Sequence, residues 1–232
     1  MDALPLGDEL AFPSATFPDP ETVLQGERVQ LRRPLPDQDA RPLFDASHPP
    51  TGDVGIWTYM NDGPYASVEA LAAALAEQTA ARDPQFRTIV RLGDRLPVGL
   101  CSYLAIVPEH GTIEIGNIWF SPSLQRTTEA TETILLLLSH AFDELGYRRV
   151  EWKCNALNAR SRAAAERFGF RFEGIFAQHR VVKGRNRDTA WYAITDKRWP
   201  DLRDAFRRWL SPANFDEAGN QRRSLRALTG MS

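Results

Sequence analysis

Gln125-Arg126-Thr127-Thr128-Glu129 is a short hydroxyl-rich stretch between two apolar runs, and its position could do chemistry. The preceding run (Ile113, Ile115, Ile118, Trp119, Phe120) is β-prone and closed by Ser121-Pro122, since proline cannot donate into a ladder. The following run starts at Ala130 and repeats apolar side chains at Ile134, Leu137, Leu138, Ala141, Phe142 and Leu145 before Gly146, the stripe and left-handed stop of a helix. A loop feeding a helix start presents unpaired N–H groups and the positive end of the macrodipole, which suits a phosphate-bearing ligand. The same geometry occurs at helix starts that bind nothing. A second cluster, Gly55 to Tyr65, sets Trp57, Tyr59 and Tyr65 among turn residues; such aromatics either wall a ligand pocket or cover a core.

The elements around these residues follow in order. Residues 1–26 hold Pro5, Pro13, Pro18 and Pro20 with little periodicity and predict an extended arm, with Phe12 and Phe17 favouring its packing. A strand is expected over Val29–Arg33, a helix over Asp37–Ala46 and another over Val68–Ala81 capped by Ser67 and ended by Asp83-Pro84. Phe86–Arg91 and Val98–Val107 read as strands joined at Gly93-Asp94, and Gly111 turns the chain into the Ile113 strand. After the long helix come a strand at Arg149–Cys154, a helix at Asn158–Phe168 stopped by Gly169, strands at Phe172–Val182 and Asp188–Thr195, a helix at Asp201–Leu210 and a polar tail over 211–232.

With 232 residues, a net charge of -2 and 43% hydrophobic residues, the chain fits one decorated domain. It is neither disordered nor a nucleic-acid binder defined by bulk basicity. The signatures of P-loop nucleotide hydrolases, zinc proteases, serine hydrolases and dinucleotide folds are missing. Cys101 and Cys154 lack metal-ligand spacing, so no metal is expected. His48, His110, His140 and His179 show no pairing pattern and read as surface or packing residues. No run of apolar residues reads as a signal or membrane span, and the expected location is the cytoplasm.

Order and residues together resemble the GCN5-related N-acetyltransferase (GNAT) family over about residues 27–195, nearest its ribosomal-protein N-terminal acetyltransferase branch (RimJ/RimL-like). Gln125 to Ala130 is similar to the family's Q/R-x-x-G-x-G/A loop, with Thr128 in place of the central glycine. Asn158-Ala159-Arg160-Ser161 followed by Gly169-Phe170 and Glu173-Gly174 is similar to its N-x-x-S…G-F-x-x-E-G segment. The resemblance implies an α/β (α+β) fold with a mainly antiparallel sheet of about seven strands and helices on both faces. It divides the chain into a proline-rich arm (1–26), the acetyltransferase domain (27–195) and a C-terminal helix and tail (196–232).

It also implies transfer of acetyl from acetyl-CoA to a primary amine, a small molecule or a protein N-terminus, with no nucleic acid or membrane as partner and a homodimer as one possible assembly. Ile118, Trp119 and Phe120 would line the pantetheine. Gln125, Arg126, Thr127, Thr128, Glu129 and Ala130 would hold the pyrophosphate, with Thr128 offering a hydroxyl where glycine offers closeness. Asn158 would touch the cofactor arm or simply cap its helix; Arg160 and Arg162 could meet an outer phosphate. The amine must lose a proton, at a pKa of about 7.7–8.0 for an α-amino group and about 10.4 for lysine. Glu114 is the first choice for that base, with Glu151 and Asp188 in reserve. The departing thiolate needs a donor, and Ser161 occupies the family's position for it, or bonds within its own helix turn. For the acceptor, Trp57, Tyr59, Tyr65 and the basic turn around Arg185 are the candidates, the turn facing an acidic substrate or water. Three other readings remain open: another short acyl-CoA as donor, a non-catalytic CoA sensor, and an interaction module using the arm.

Overall fold

Period-two alternation of apolar side chains builds the sheet, and helical stripes cover it. The structure, a computed structural model, describes residues 4–230. The strands are β1 (Leu24–Gln25), β2 (Val29–Arg32), β3 (Gln85–Arg91), β4 (Pro97–Val107), β5 (Thr112–Phe120), β6 (Arg149–Asn155), β7 (Arg171–Val182) and β8 (Arg185–Thr195). They form one eight-stranded sheet in the order β1-β2-β3-β4-β5-β6-β8-β7. The extra strand relative to the expected seven is β1, whose two residues are too few to carry a pattern. Neighbours are antiparallel except β5 and β6, whose parallel pairing requires the helical crossover between them.

The helices are α1 (Pro36–Ser47), α2 (Val68–Ala80), α3 (Thr128–Ser139), α4 (Ala159–Arg167), α5 (Trp199–Leu210) and α6 (Leu225–Leu228). The helix expected to run to Leu145 instead passes at His140 into a π turn, His140–Glu144, and Gly146 ends it with φ +75°. Among the described residues, no helix is long and apolar enough to cross a membrane.

Two cores result. The larger takes Ile113 and Ile115 of β5, Val150 and Trp152 of β6, Tyr192 of β8 and the apolar faces of α3 and α5. The smaller, on the other face, joins Ala40 and Leu43 of α1, Leu71 and Leu75 of α2, Leu100, Trp57 and Trp119. Each fully buried Leu or Ile contributes about 1.5–3 kcal/mol relative to exposure, so both helical layers are held by burial rather than by intrinsic propensity.

Segments near both ends of the described residues pack on the larger core. In the arm, Ala15 N donates to Pro108 O at 3.0 Å and Thr16 N to Leu145 O at 2.8 Å, while Phe12 and Phe17 lie against the core. Gly111 has φ +62°, and a Cβ there would stand 2.5 Å from the Phe12 ring, so both the turn and the arm's approach need glycine. The tail expected to be polar buries Leu225 completely. Its buried Asn214 donates to the carbonyls of Trp209 and Arg223, and Phe215 bridges to Gln221.

Candidate active site

Strand β6 is paired unequally on its two sides. With β8 it pairs from Arg149↔Thr195 to Asn155↔Thr189; with β5 it pairs only at Thr112↔Arg149, Ile113↔Val150 and Glu114↔Glu151. Beyond Glu114 the two strands diverge, and a cavity of about 1760 Å³ opens between them. Single-ligand pockets run to about 1,000 Å³, so this one has room for two reactants.

A β-bulge shapes the β5 wall. Asn117 takes φ +48°, a left-handed position that asparagine tolerates better than most residues. Its Nδ2 donates to Ser102 Oγ at 3.0 Å, and Ser102 Oγ donates to Gly116 O at 3.2 Å. Pairing with β4 jumps there, from Ser102↔Gly116 to Leu100↔Trp119. One extra residue inverts the alternation: Ile118 and Phe120 join Ile113 and Ile115 beside the larger core, whereas Trp119 enters the smaller one, 5.3 Å from the Trp57 ring. Ile118 and Phe120 border the cavity as expected; Trp119 also borders the cavity, although its ring packs into the smaller core.

On the α3 side the cavity ends in the loop. Arg126 stands at φ +64°. Thr127 is the N-cap, its hydroxyl accepting from Ala130 N at 3.2 Å, and a first-turn helix N–H such as that of Thr128 or Glu129 has no intrahelical acceptor. Thr128 donates its hydroxyl to Glu129 Oε2 at 3.0 Å, and Gln125 Nε2 donates to Phe120 O at 2.9 Å. Across the gap, Asn158 caps α4 by accepting from Ser161 N at 3.1 Å and also lines the cavity. Ser161 Oγ accepts from Trp152 Nε1 at 3.0 Å, which leaves its own proton for another acceptor. Nearby Cys154 has its thiol raised by burial, which a hydrogen bond with Ser161 partly counters. Arg160 lines this side, whereas Arg162 is turned to Tyr192 Oη at 3.0 Å.

The opposite side is charged. Glu114, only 7% exposed, sits where β5 and β6 part. Burial pushes its carboxyl above the usual range, with Lys153 pulling the other way. Lys153 Nζ lies 3.0 Å from Glu114 Oε2 and 2.8 Å from Glu151 Oε2, and 4.0 Å above the Trp191 ring. For Glu151 burial would raise the carboxyl, yet hydrogen bonds from Lys153 and Arg149 take it below the ordinary value. Asp188 Oδ1 accepts from Gln178 N and Asn186 Nδ2, tying down a bulge in β7. Of the three candidate bases, Glu114 alone lines the cavity.

The aromatic candidates divide. Tyr59 borders the cavity, its Oη donating to Leu157 O at 3.4 Å across the mouth. Trp57 is 2% exposed within the smaller core, and Tyr65 packs edge-on against it at 5.3 Å while donating to Asp62 Oδ2. Neither Trp57 nor Tyr65 is a cavity wall, because their rings fill the space between α1, α2 and the sheet. Arg185 stands exposed at the hairpin and away from the cavity; Arg180 and Arg187 face it instead.

Lys153, Arg167, His179 and Trp191 were not among the expected site residues, yet all four line the cavity. Strand alternation could have found two of them, since Lys153 and Trp191 are directly paired across β6 and β8. His179, expected to be a surface or packing residue, bonds Thr189 Oγ1 at 3.0 Å. Arg167 stacks on Phe168 and Trp209, 5.1 and 4.9 Å from their centroids, and donates to Thr131 Oγ1 on α3.

Comparison with known proteins agrees with this architecture. The chain superimposes on a GCN5-related N-acetyltransferase from Brucella melitensis with a TM-score of 0.90 and 38% identity, covering 95% of this chain and 99% of that one. A probable acetyltransferase of the GNAT family from Chromobacterium violaceum ATCC 12472 gives 0.77 and 38%, covering 86% and 99%. The Bacillus subtilis (strain 168) protein named putative ribosomal N-acetyltransferase YdaF is 31% identical over 86 residues, 37% of this chain and 46% of that relative. The chain thus spans about half the length of the curated relative it matches. Residues 28–171 match the family described as the Acetyltransferase (GNAT) domain, and the chain belongs to that family.

Proposed function

We propose that the protein transfers acetyl from acetyl-CoA to a primary amine, with Glu114 as general base and Ser161 as proton donor to the leaving sulfur. The observation that carries this reading is the parting of β5 from β6 at Glu114, which opens a passage between the two faces of the sheet with an acid at its apex. The cavity fits the cofactor: the start of α3 points free N–H groups toward it, and Arg167 adds a cation without a carboxylate partner in its hydrogen bonds. The unpaired edge of β5 offers amide groups to an extended amide-bearing arm. Gln125 to Ala130 would hold the pyrophosphate, Ile118 and Phe120 the pantetheine, and Asn158 its far side. The cofactor supplies an activated acetyl thioester.

The chain's own residues supply the rest. Glu114 takes the proton of the acceptor ammonium, a task matched by a carboxyl whose pKa is lifted toward working pH. Lys153 keeps it ionised and oriented. Ser161 is held by Trp152 Nε1 so that its hydroxyl can donate across the gap. Tyr59 borders the acceptor's entrance. The name of the YdaF relative makes a protein N-terminus one acceptor to include. Calorimetric titration with acetyl-CoA, paired with an assay of thiol release over a panel of amines, tests the reading. Binding with amine-dependent thiol release is expected; binding without release would leave a CoA sensor, and no binding would overturn both.

A further inference from the structure

The acceptor side of the cavity holds more positive charge than it pairs. Arg180 and Arg187 stand directly opposite each other on β7 and β8, and both line the cavity. Among the described residues neither has a carboxylate within ion-pair distance. Glu114 and Glu151, the carboxylates on that face, are both paired with Lys153. Arg187 has a buried Nε with no acceptor, and its recorded side-chain bond is a long one, Nη1 to Asn61 Oδ1 at 3.4 Å. Burial and the adjacent Arg180 oppose its charge, and the weaker pull of Cys154 and Glu114 does not offset them. Four residues further along β8, on the same face, Trp191 Nε1 is likewise buried without an acceptor.

A half-buried guanidinium with an unmet donor, beside a second and exposed guanidinium, is an arrangement that an anion would relieve. Strand alternation puts Arg187 and Trp191 on the sheet face that also carries Lys153 and Glu114. A carboxylate received there would sit within a few residues' reach of the base.

We infer that the acceptor is an amine that also carries a carboxylate, with Arg187 and Arg180 receiving the carboxylate while Glu114 faces the amine. Guanidinium forks match carboxylates in two parallel hydrogen bonds, and the pair disfavours polycationic acceptors. The inference rests on reading the cavity as an acyl-transfer site. The carboxylate can be the acceptor's own α-carboxylate or the acidic side chain of a peptide.

The test compares matched acceptors on the full chain with acetyl-CoA present: a free amino acid against its amide, and a tripeptide amide beginning Ser-Asp against one beginning Ser-Asn. Thiol release should give a kcat/KM ratio of about tenfold or more in favour of the carboxylate in one of these pairs, as expected for a charged hydrogen-bonded contact. The pair showing the ratio identifies which source of carboxylate is used. In Arg187→Gln the ratio should collapse toward one, and Arg187→Lys should restore part of it. Equal loss on both members of each pair, with a shifted pH profile, would show that the arginines act only by depressing the amine's pKa, and would overturn the inference; so would a preference for spermidine. A readout independent of turnover is calorimetric binding of the N-acetylated products. If the carboxylate product binds more tightly than its amide and Arg187→Gln removes the difference, the inference stands even where no acceptor turns over. If no product pair shows a carboxylate preference, it falls whatever the turnover.

Discussion

The two faces that meet at the opening offer different kinds of group to a ligand. The α3 side offers main-chain groups: the first-turn N–H groups of the helix, the left-handed Arg126 and the unpaired run of β5. Its side chains are mostly occupied with one another, as Thr128 with Glu129 and Gln125 with Phe120 show. The other side offers side chains in charged sets, with Lys153 shared between two carboxylates and two arginines left over. A cofactor common to many enzymes can be held by backbone geometry, which tolerates sequence change. An acceptor particular to one enzyme must be chosen by side chains.

Glu114→Gln should break the charged side alone. The expected loss in kcat/KM is about a hundredfold, typical for removal of a general base, with affinity for acetyl-CoA kept in calorimetry. Because burial raises Glu114, the wild-type rate should fall as pH drops through a value above the ordinary carboxylate range. The variant should lack that limb, and an unchanged profile would move the base elsewhere. Stability runs the other way. Burial favours the protonated form, so the contribution of Glu114 to folding weakens as pH rises through its raised pKa.

Lys153→Met sharpens the same contrast with a smaller effect. Lys153 holds Glu114 down, so its loss should move the acidic limb up by about one unit, the lower end for a removed neighbouring charge, again without altering cofactor affinity. A limb that stays in place would show that Lys153 serves Trp191 and Glu151 instead.

The smallest effect is expected on the main-chain side. Thr128→Gly removes a hydroxyl already bonded to Glu129 and loses only about 0.5 kcal/mol of helix propensity. Acetyl-CoA should bind as well or better, measured by calorimetry, with the acceptor's KM unchanged. Weaker binding would show that the hydroxyl is itself a cofactor contact.

These contrasts also explain what could be read from the chain alone. Loop, helix and strand order were legible because the break at Ser121-Pro122, the stripe from Ala130 and the stop at Gly146 are local signals. Glu114 could be chosen because it lies on the strand leading to the loop. The direction of Trp119 was not legible, since the bulge at Asn117 reverses alternation and nothing beside asparagine announces it. Trp57 and Tyr65 look like pocket walls in one dimension, and only the approach of α1 and α2 makes them core. Arg187 rather than Arg185 faces the cavity because β8 begins within the basic turn, and a shift of two residues moves a side chain from the exposed tip to the sheet face. Burial of Leu225 depends on α5 and α6 meeting, a contact that no short window contains.

The unpaired run of β5 also bears on how the protein behaves in concentrated solution. An open strand edge is ordinarily an invitation to another chain, and proteins blunt such edges with charge, bulges or brevity. Here the outermost strands follow that custom: β1 is two residues long, and β7 is broken by register shifts near Gly174 and Gln178. The open edge that the proposed cofactor would use lies instead inside the sheet, beside the α3 loop and α4. An edge placed between two strands of one sheet is flanked on both sides by its own chain, so hydrogen-bonding capacity is kept there while the outer edges stay blunted against edge-to-edge aggregation.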